Sequence, residues 1–295
     1  MAAGAYDDRD GVIWMDGQFV PWREAKVHVL THALHYASSV FEGERAYGGA
    51  IFKSREHSER LLVSCDMMDI PRPMTVDDLE AAKRDAMERS GLRDAYVRAL
   101  IWRGSGPDMG VSSSRNPVHT AIAVWEWGAY YGDAKMKGAK LDISRWKRPS
   151  PETIPCFAKA SGLYMICTMS KHAAEAKGCS DAIMMDYRGY VAEATGANVF
   201  FVKDGVVHTP LPDVFLNGIT RQTVIAMLKA RGVTVIERHI LPAEMEDFEQ
   251  CWLTGTAAEV TPVGQIGDYT FEVGALTRSV AEEYEKLVRN QLQPA

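Results

Sequence analysis

The chain has 295 residues, 46% hydrophobic and 24% charged, enough for two core-bearing globular domains. Its net charge of -6, with Lys and Arg scattered, argues against a nucleic-acid or anionic-membrane partner. No apolar run approaches the ~20 residues of a membrane span, and the acidic residues 1–10 lack the basic and apolar parts of a secretion signal, so a cytoplasmic protein is expected. Cys65, Cys156, Cys167, Cys179 and Cys251 include no C-x-x-C pair; they are expected in the core, not in a disulfide framework or a metal cage.

In chain order, Val12-Ile13-Trp14-Met15 and Gln18-Phe19-Val20-Pro21 flank Asp16-Gly17, a pair suited to the positive φ angles of a tight hairpin turn. His28, His32 and His35 could line a helix face as metal ligands, but no carboxylate or cysteine supplements them and local hydrogen bonding is the plainer reading. The aromatic segment 36–41 follows as though packing a wall. A second hairpin is expected around Gly48-Gly49, then a helix capped by Ser54 and running to about residue 68, with Leu61, Cys65 and Met68 on one face. Arg60 on that helix is either a solvated charge or, leaning inward, a bidentate phosphate ligand. A helix over 76–90 leads into a strand over 95–102, where a period of two puts Tyr96 and Arg98 on one face. Arg98, between Val97 and Ala99, is a buried-anion candidate. The Gly- and Ser-rich loop 103–117 has an apolar tip, Met109-Gly110-Val111, of the kind that covers something. After a strand over 119–125, a linker at 129–138 is expected to separate a small domain, 1–128, from a larger cofactor-anchoring one, 139–295.

Lys159 stands in the largely apolar stretch Ile154-Pro155-Cys156-Phe157-Ala158-Lys159-Ala160-Ser161-Gly162-Leu163-Tyr164, which reads as a strand end followed by a helix over 163–176. Its amine either snorkels to the surface or is made nucleophilic by burial. Strands are expected over 181–185, 190–192 and 198–202, with turns at Arg188-Gly189 and Asp204-Gly205. Asn217-Gly218-Ile219-Thr220 opens a periodic helix with Val224, Met227 and Leu228 inward, and its free amides and dipole suit a phosphate. Strands over 233–237, 250–254 and 260–266 precede a helix over 275–292. If Lys159 carries pyridoxal phosphate, Glu193 could face the pyridine nitrogen, while Ile219-Thr220 and the turn Gly255-Thr256-Ala257-Ala258 offer amides and hydroxyls to the phosphate.

The series Glu193, Asn198-Val199-Phe200, Thr209 and Gly218-Ile219-Thr220-Arg221 is similar to a pattern of the fold-type IV pyridoxal-phosphate enzymes. With Tyr36, Phe41-Glu42-Gly43, Arg60, Tyr96-Val97-Arg98, Lys159 and Gly255-Thr256-Ala257-Ala258 in order, nearly the whole chain resembles the branched-chain amino acid aminotransferases. The resemblance implies an α+β protein: a small α/β domain and a larger domain with a β-barrel-like core flanked by helices. It implies that Lys159 attaches the cofactor and moves the proton between Cα and C4′, and that Tyr164 bonds the phenolic oxygen. Glu193 would hold the pyridinium, and Arg60, Ile219, Thr220 and Thr256 the phosphate. Tyr36, Phe41, Gly43, Trp127 and Tyr130 would form the side-chain pocket, with Met109 and Val111 arriving from a neighbouring subunit of a homo-oligomer. Tyr96, Thr256, Ala257 and Ala258 would receive the α-carboxylate, and Arg98 the distal carboxylate of glutamate. The implied reaction is amino transfer between leucine, isoleucine or valine and 2-oxoglutarate. A D-amino acid or (R)-amine transaminase of the same fold is the alternative, with aminodeoxychorismate lyase behind it. Ser161, Leu163 and Glu44 depart from the family's usual residues, which bears on fine substrate preference.

Overall fold

The computed structural model describes residues 4–112, 114–127 and 137–289, so most of the expected linker, Tyr130 included, lies outside the described residues. Its contacts divide the chain into two units: Met1–Gly128 with Ala158–Gly162, and Ala129–Phe157 with Leu163–Ala295.

The first unit contains, in order, β1 (Val12–Met15), β2 (Gln18–Pro21), α1 (His32–Tyr36), β3 (Ser39–Phe41), β4 (Glu44–Tyr47), β5 (Ala50–Ile51), α2 (Ser54–Met67), α3 (Val76–Ser90), β6 (Ala95–Arg103) and β7 (Val118–Glu126). The strands form one sheet in the order β2-β1-β7-β6-β4-β5, with β3 also on β6. Both predicted hairpins are present, and their turns take left-handed backbone at Asp16 (φ 49°), Gly17 (87°), Gly48 (60°) and Gly49 (98°). The expected cap of α2 is a correction. Lys53 (φ 56°) precedes the helix, and Ser54 instead donates its hydroxyl to Glu80 of α3 at 3.0 Å. α3 carries a capping box, in which Thr75 and Asp78 each accept the other's backbone N–H. Leu61, Leu62, Cys65 and Leu79 bury the apolar faces of α2 and α3.

The second unit contains β8 (Ala139–Ile143), α4 (Tyr164–Glu175), β9 (Asp181–Met185), β10 (Val191–Ala194), β11 (Asn198–Lys203), β12 (Val206–Pro210), α5 (Ile219–Ala230), β13 (Val235–Arg238), β14 (Gln250–Gly255), β15 (Glu259–Ile266), β16 (Tyr269–Thr270) and α6 (Ala275–Val288). Its sheet runs β10-β9-β8-β15-β14-β11-β12-β13, and a further pairing of β10 with β11 closes the first six into a barrel. The closing pair is Glu193 and Asn198. Leu141, Ile183, Val199, Phe201, Leu253 and Val263 fill the barrel core, while Phe200 and Trp252, of opposite parity, stack with centroids 5.4 Å apart. Helices, strands and a barrel-like sheet together agree with the expected α+β class.

The lysine segment is also a correction, because it forms no strand. Ala160 makes one isolated bridge to Val40 and a short 3-10 turn, Ser161–Leu163, leads into α4. Within the first unit, Phe41 N–H donates to the Lys159 carbonyl at 3.1 Å and Lys159 N–H to Ser64 Oγ at 3.0 Å. The Ser39 hydroxyl donates to that of Ser161 at 2.8 Å. Three polar contacts therefore replace a strand ladder, a substitution that hydropathy does not register.

Candidate active site

In the first unit, the Phe41 ring is shared by two cationic side chains. The Lys159 amine lies 5.1 Å from its centroid and the Arg98 guanidinium 4.7 Å. Arg98 Nη2 points to the Tyr96 hydroxyl at 3.4 Å, and its buried Nε has no hydrogen-bond partner among the described residues. Tyr96 packs on Trp125 at 5.0 Å and on Trp127 at 4.7 Å, the first of these being its cross-strand neighbour on β7. Gly43 allows this packing, because a Cβ there would collide with the Tyr96 hydroxyl. Phe41, Gly43, Tyr96, Arg98, Trp127 and Lys159 thus line one aromatic neighbourhood with a guanidinium in it. The Tyr36 hydroxyl donates to the Met109 carbonyl at 3.0 Å, joining α1 to the tip of the 103–117 loop. Val111 on that tip is 79% exposed. Arg60 forms a fork with Glu42, through Nε at 2.7 Å and Nη2 at 2.8 Å.

In the second unit, barrel closure sets Glu193 beside Asn198, whose Nδ2 donates to Glu193 Oε2 at 3.1 Å. Arg148 Nε stands 3.2 Å from the other carboxylate oxygen. Burial works against the Arg148 charge, but Glu193 together with Cys167, Tyr164 and Cys156 outweighs it and the guanidinium pKa is raised. Arg148 Nη1 also reaches Cys167 Sγ at 3.3 Å, and burial pushes that thiol up to about 11. Asn198 continues to the phosphate-type helix start, accepting Gly218 N–H on Oδ1 at 3.1 Å and donating to the Leu216 carbonyl at 3.1 Å. α5 begins with no side-chain cap, so the Ile219 and Thr220 end of the helix is open to an anion. Tyr164, Ala257 and Ala258 line a recess of about 210 Å³ that also reaches Thr195 and Gly196. Thr256 is half-buried in the adjoining turn.

The family described as Amino-transferase class IV matches residues 39–266. The chain belongs to the class IV aminotransferases. The branched-chain-amino-acid aminotransferase of Pseudomonas aeruginosa is 39% identical, covering 97% of this chain and 95% of that one. Among solved structures, a branched-chain aminotransferase from Thermoproteus uzoniensis with norvaline has a TM-score of 0.92 at 32% identity, covering 97% of each chain. A T.th. branched-chain amino acid aminotransferase complexed with N-(5'-phosphopyridoxyl)-L-glutamate has a TM-score of 0.91 at 38% identity, covering 97% of this chain and 96% of that one.

A class IV aminotransferase works with pyridoxal phosphate. The donors fit that group: a lysine amine and an arginine fork in the first unit, and a buried carboxylate, a phenol beside a small-residue recess and an uncapped helix start in the second. The three histidines take local partners. His28 Nδ1 accepts Leu30 N–H, His32 Nδ1 meets Ser38 Oγ at 2.7 Å, and His35 Nε2 donates to the Val29 carbonyl at 2.9 Å. All five cysteines are free and buried.

The residues that depart from the family turn to protein neighbours. Glu44 is buried and paired at 2.7 Å with Lys83 of α3, which also meets Glu80 at 2.9 Å. Burial pushes the Glu44 carboxyl up, against the pull of Lys83. Ser161 bonds Ser39, and Leu163 is buried. Sequence reasoning passed over Arg148, Trp125, Ser64 and the partner role of Glu42. For Glu42 and Trp125, adjacency to Phe41 and parity with Trp127 were usable signals; for Arg148 and Ser64 no spacing pointed to them.

Proposed function

We propose that this class IV aminotransferase transfers the amino group of L-leucine, L-isoleucine or L-valine to 2-oxoglutarate, giving the branched-chain 2-oxo acid and glutamate. The observation that carries the reading is the Phe41 ring shared by Lys159 and Arg98. An amino-group transferase for both leucine and glutamate needs apolar walls and one cation for the extra carboxylate. Relatives bearing this activity in their names support it, as do the norvaline and the phosphopyridoxyl-glutamate of the two solved structures.

Pyridoxal phosphate, when bound, supplies an electron-withdrawing ring that stabilises charge at the substrate Cα. By the family resemblance, Lys159 would hold it and carry the proton at the substrate Cα. Glu193, held by Arg148 and Asn198, would accept from the ring nitrogen, and Tyr164 would donate to the phenolic oxygen. Arg60, Ile219, Thr220 and Thr256 would be the phosphate donors. Tyr96, Thr256, Ala257 and Ala258 would receive the α-carboxylate, and Arg98 the distal one. Phe41, Gly43 and Trp127 form the side-chain pocket and exclude water. Met109 and Val111 serve a neighbouring subunit, and the Tyr36–Met109 hydrogen bond has Tyr36 delivered with them. The working form is accordingly a homodimer or larger homo-oligomer.

The test is a substrate panel on the pure, cofactor-loaded protein. L-Leucine, L-isoleucine and L-valine with 2-oxoglutarate are expected to react, and D-alanine and (R)-1-phenylethylamine are not. No transfer from any of the three branched-chain acids would reject the proposal.

A further inference from the structure

Arg60 reaches its position through a carboxylate that no part of the assigned reaction uses. Glu42 has no exposed surface, yet it carries a full fork from Arg60 and a third bond from His57 Nδ1 at 2.7 Å. A carboxylate only accepts, so His57 Nδ1 is the protonated nitrogen of that contact. His57 and Arg60 are one turn apart on α2, and Glu42 comes from the joint between β3 and β4. The next turn of the same helix carries Ser64, which accepts the Lys159 N–H. One helix face thus fixes both the arginine and the backbone of the lysine. Burial opposes a charge on Glu42, but Arg60 and His57 overcome it and hold the carboxyl well below the usual range. An ion of this kind serves poorly as a stabiliser against an apolar alternative, but it fixes direction. The planar fork commits Nε and Nη2 of Arg60 to Glu42 and turns the Nη1 edge away from it.

We propose that Glu42, braced by His57, is a positioning residue that aims the Nη1 edge of Arg60 at the phosphate of the cofactor. This rests on the cofactor role proposed for Arg60. Charge and positioning make opposite predictions here. By charge alone, Glu42 repels a phosphate, and its removal should tighten binding; by positioning, its removal releases the guanidinium and weakens binding.

The experiment measures dissociation constants of pyridoxal 5'-phosphate and of unphosphorylated pyridoxal for the full-length apo-protein, wild type and Glu42→Gln. The expected result is about a tenfold or greater loss for the phosphorylated form, the scale seen when an orienting partner is removed, with pyridoxal unchanged. Unchanged or tighter pyridoxal phosphate binding, or an equal loss for both compounds, would overturn the proposal. His57→Gln keeps the Arg60 fork and should give a smaller loss of the same selectivity; if Glu42→Gln does not fold, an absent or unselective effect in His57→Gln overturns the proposal in its place. Failure of the wild-type protein to bind pyridoxal phosphate would instead reject the cofactor assignment itself.

Discussion

Arg98 is the side chain whose loss separates the two proposed substrates. Arg98→Ala should lower kcat/KM for glutamate about tenfold or more beyond any loss for leucine, because only glutamate then leaves a carboxylate without a partner. Equal losses would refute the role. Lys159→Ala should remove nearly all turnover together with the absorption of the lysine-attached cofactor; retained activity would reveal a different amine. The Glu44–Lys83 pair makes a stability prediction. Lys83→Met strands a buried carboxylate and should cost roughly 3–5 kcal/mol, whereas Glu44→Ile combined with Lys83→Met should recover most of it. Urea unfolding of the two variants against wild type decides this, and a double variant no better than the single would disprove the pairing. Glu42 sets a pH dependence. Its pKa is depressed in the folded chain, so the stability it contributes is present above the ordinary carboxylate range and is lost as pH falls toward the depressed value. The melting temperature of Glu42→Gln should therefore lie below wild type at neutral pH and draw closer to it as pH falls below the ordinary carboxylate range. At this scale the sequence offered Lys159, Glu193, Arg60 and Arg98 as candidates by type and order. It did not reveal what holds them, since Arg148, Asn198, Glu42 and Ser64 act through distances that a linear order does not contain.

At the scale of elements, local signals were read where one face is apolar and the ends are punctuated. The two-residue turns at Asp16-Gly17 and Gly48-Gly49, α3 over its full length and the opening of α5 were all legible for that reason. β8 and β12 were not foreseen. β8 lies between β9 and β15, parallel to both, and its five residues Ala-Lys-Leu-Asp-Ile alternate apolar with polar, a signal that was usable but short. The lysine segment misled in the opposite direction: apolar residues suggested a strand where a hydrogen bond from Lys159 N–H to Ser64 and one from Phe41 N–H hold irregular backbone. The start of α5 offers a test of element-level coupling. Gly218 sits so close to Asn198 that a Cβ would collide with the amide oxygen. Gly218→Ala should displace Asn198 from both Glu193 and the helix start, and weaken cofactor binding while the far-ultraviolet circular dichroism stays near wild type. Undiminished affinity would show that Asn198 is dispensable for the arrangement.

On the scale of the whole molecule, the first unit exposes Val29 (72%), Leu34 (63%) and Val111 (79%), large apolar side chains that solvent does not favour. Association through this surface is the proposed reason, and sedimentation of the wild-type protein should give a dimer or larger species that Leu34→Asp with Val111→Asp shifts toward monomer. A wild-type monomer at micromolar concentration would reject it. The sequence by itself determined the fold class and the chemistry, and it put forward the candidate reacting residues, because motif order and apolar periodicity are properties of the chain. Only the tertiary structure decided that the Lys159 backbone is held by the first unit, that the barrel closes at Glu193 and Asn198, and that Glu42 takes the fork of Arg60. Whether the partners are five residues apart, as Glu193 and Asn198 are, or 95, as Ser64 and Lys159 are, such contacts depend on direction and burial, which exist only once the chain has folded.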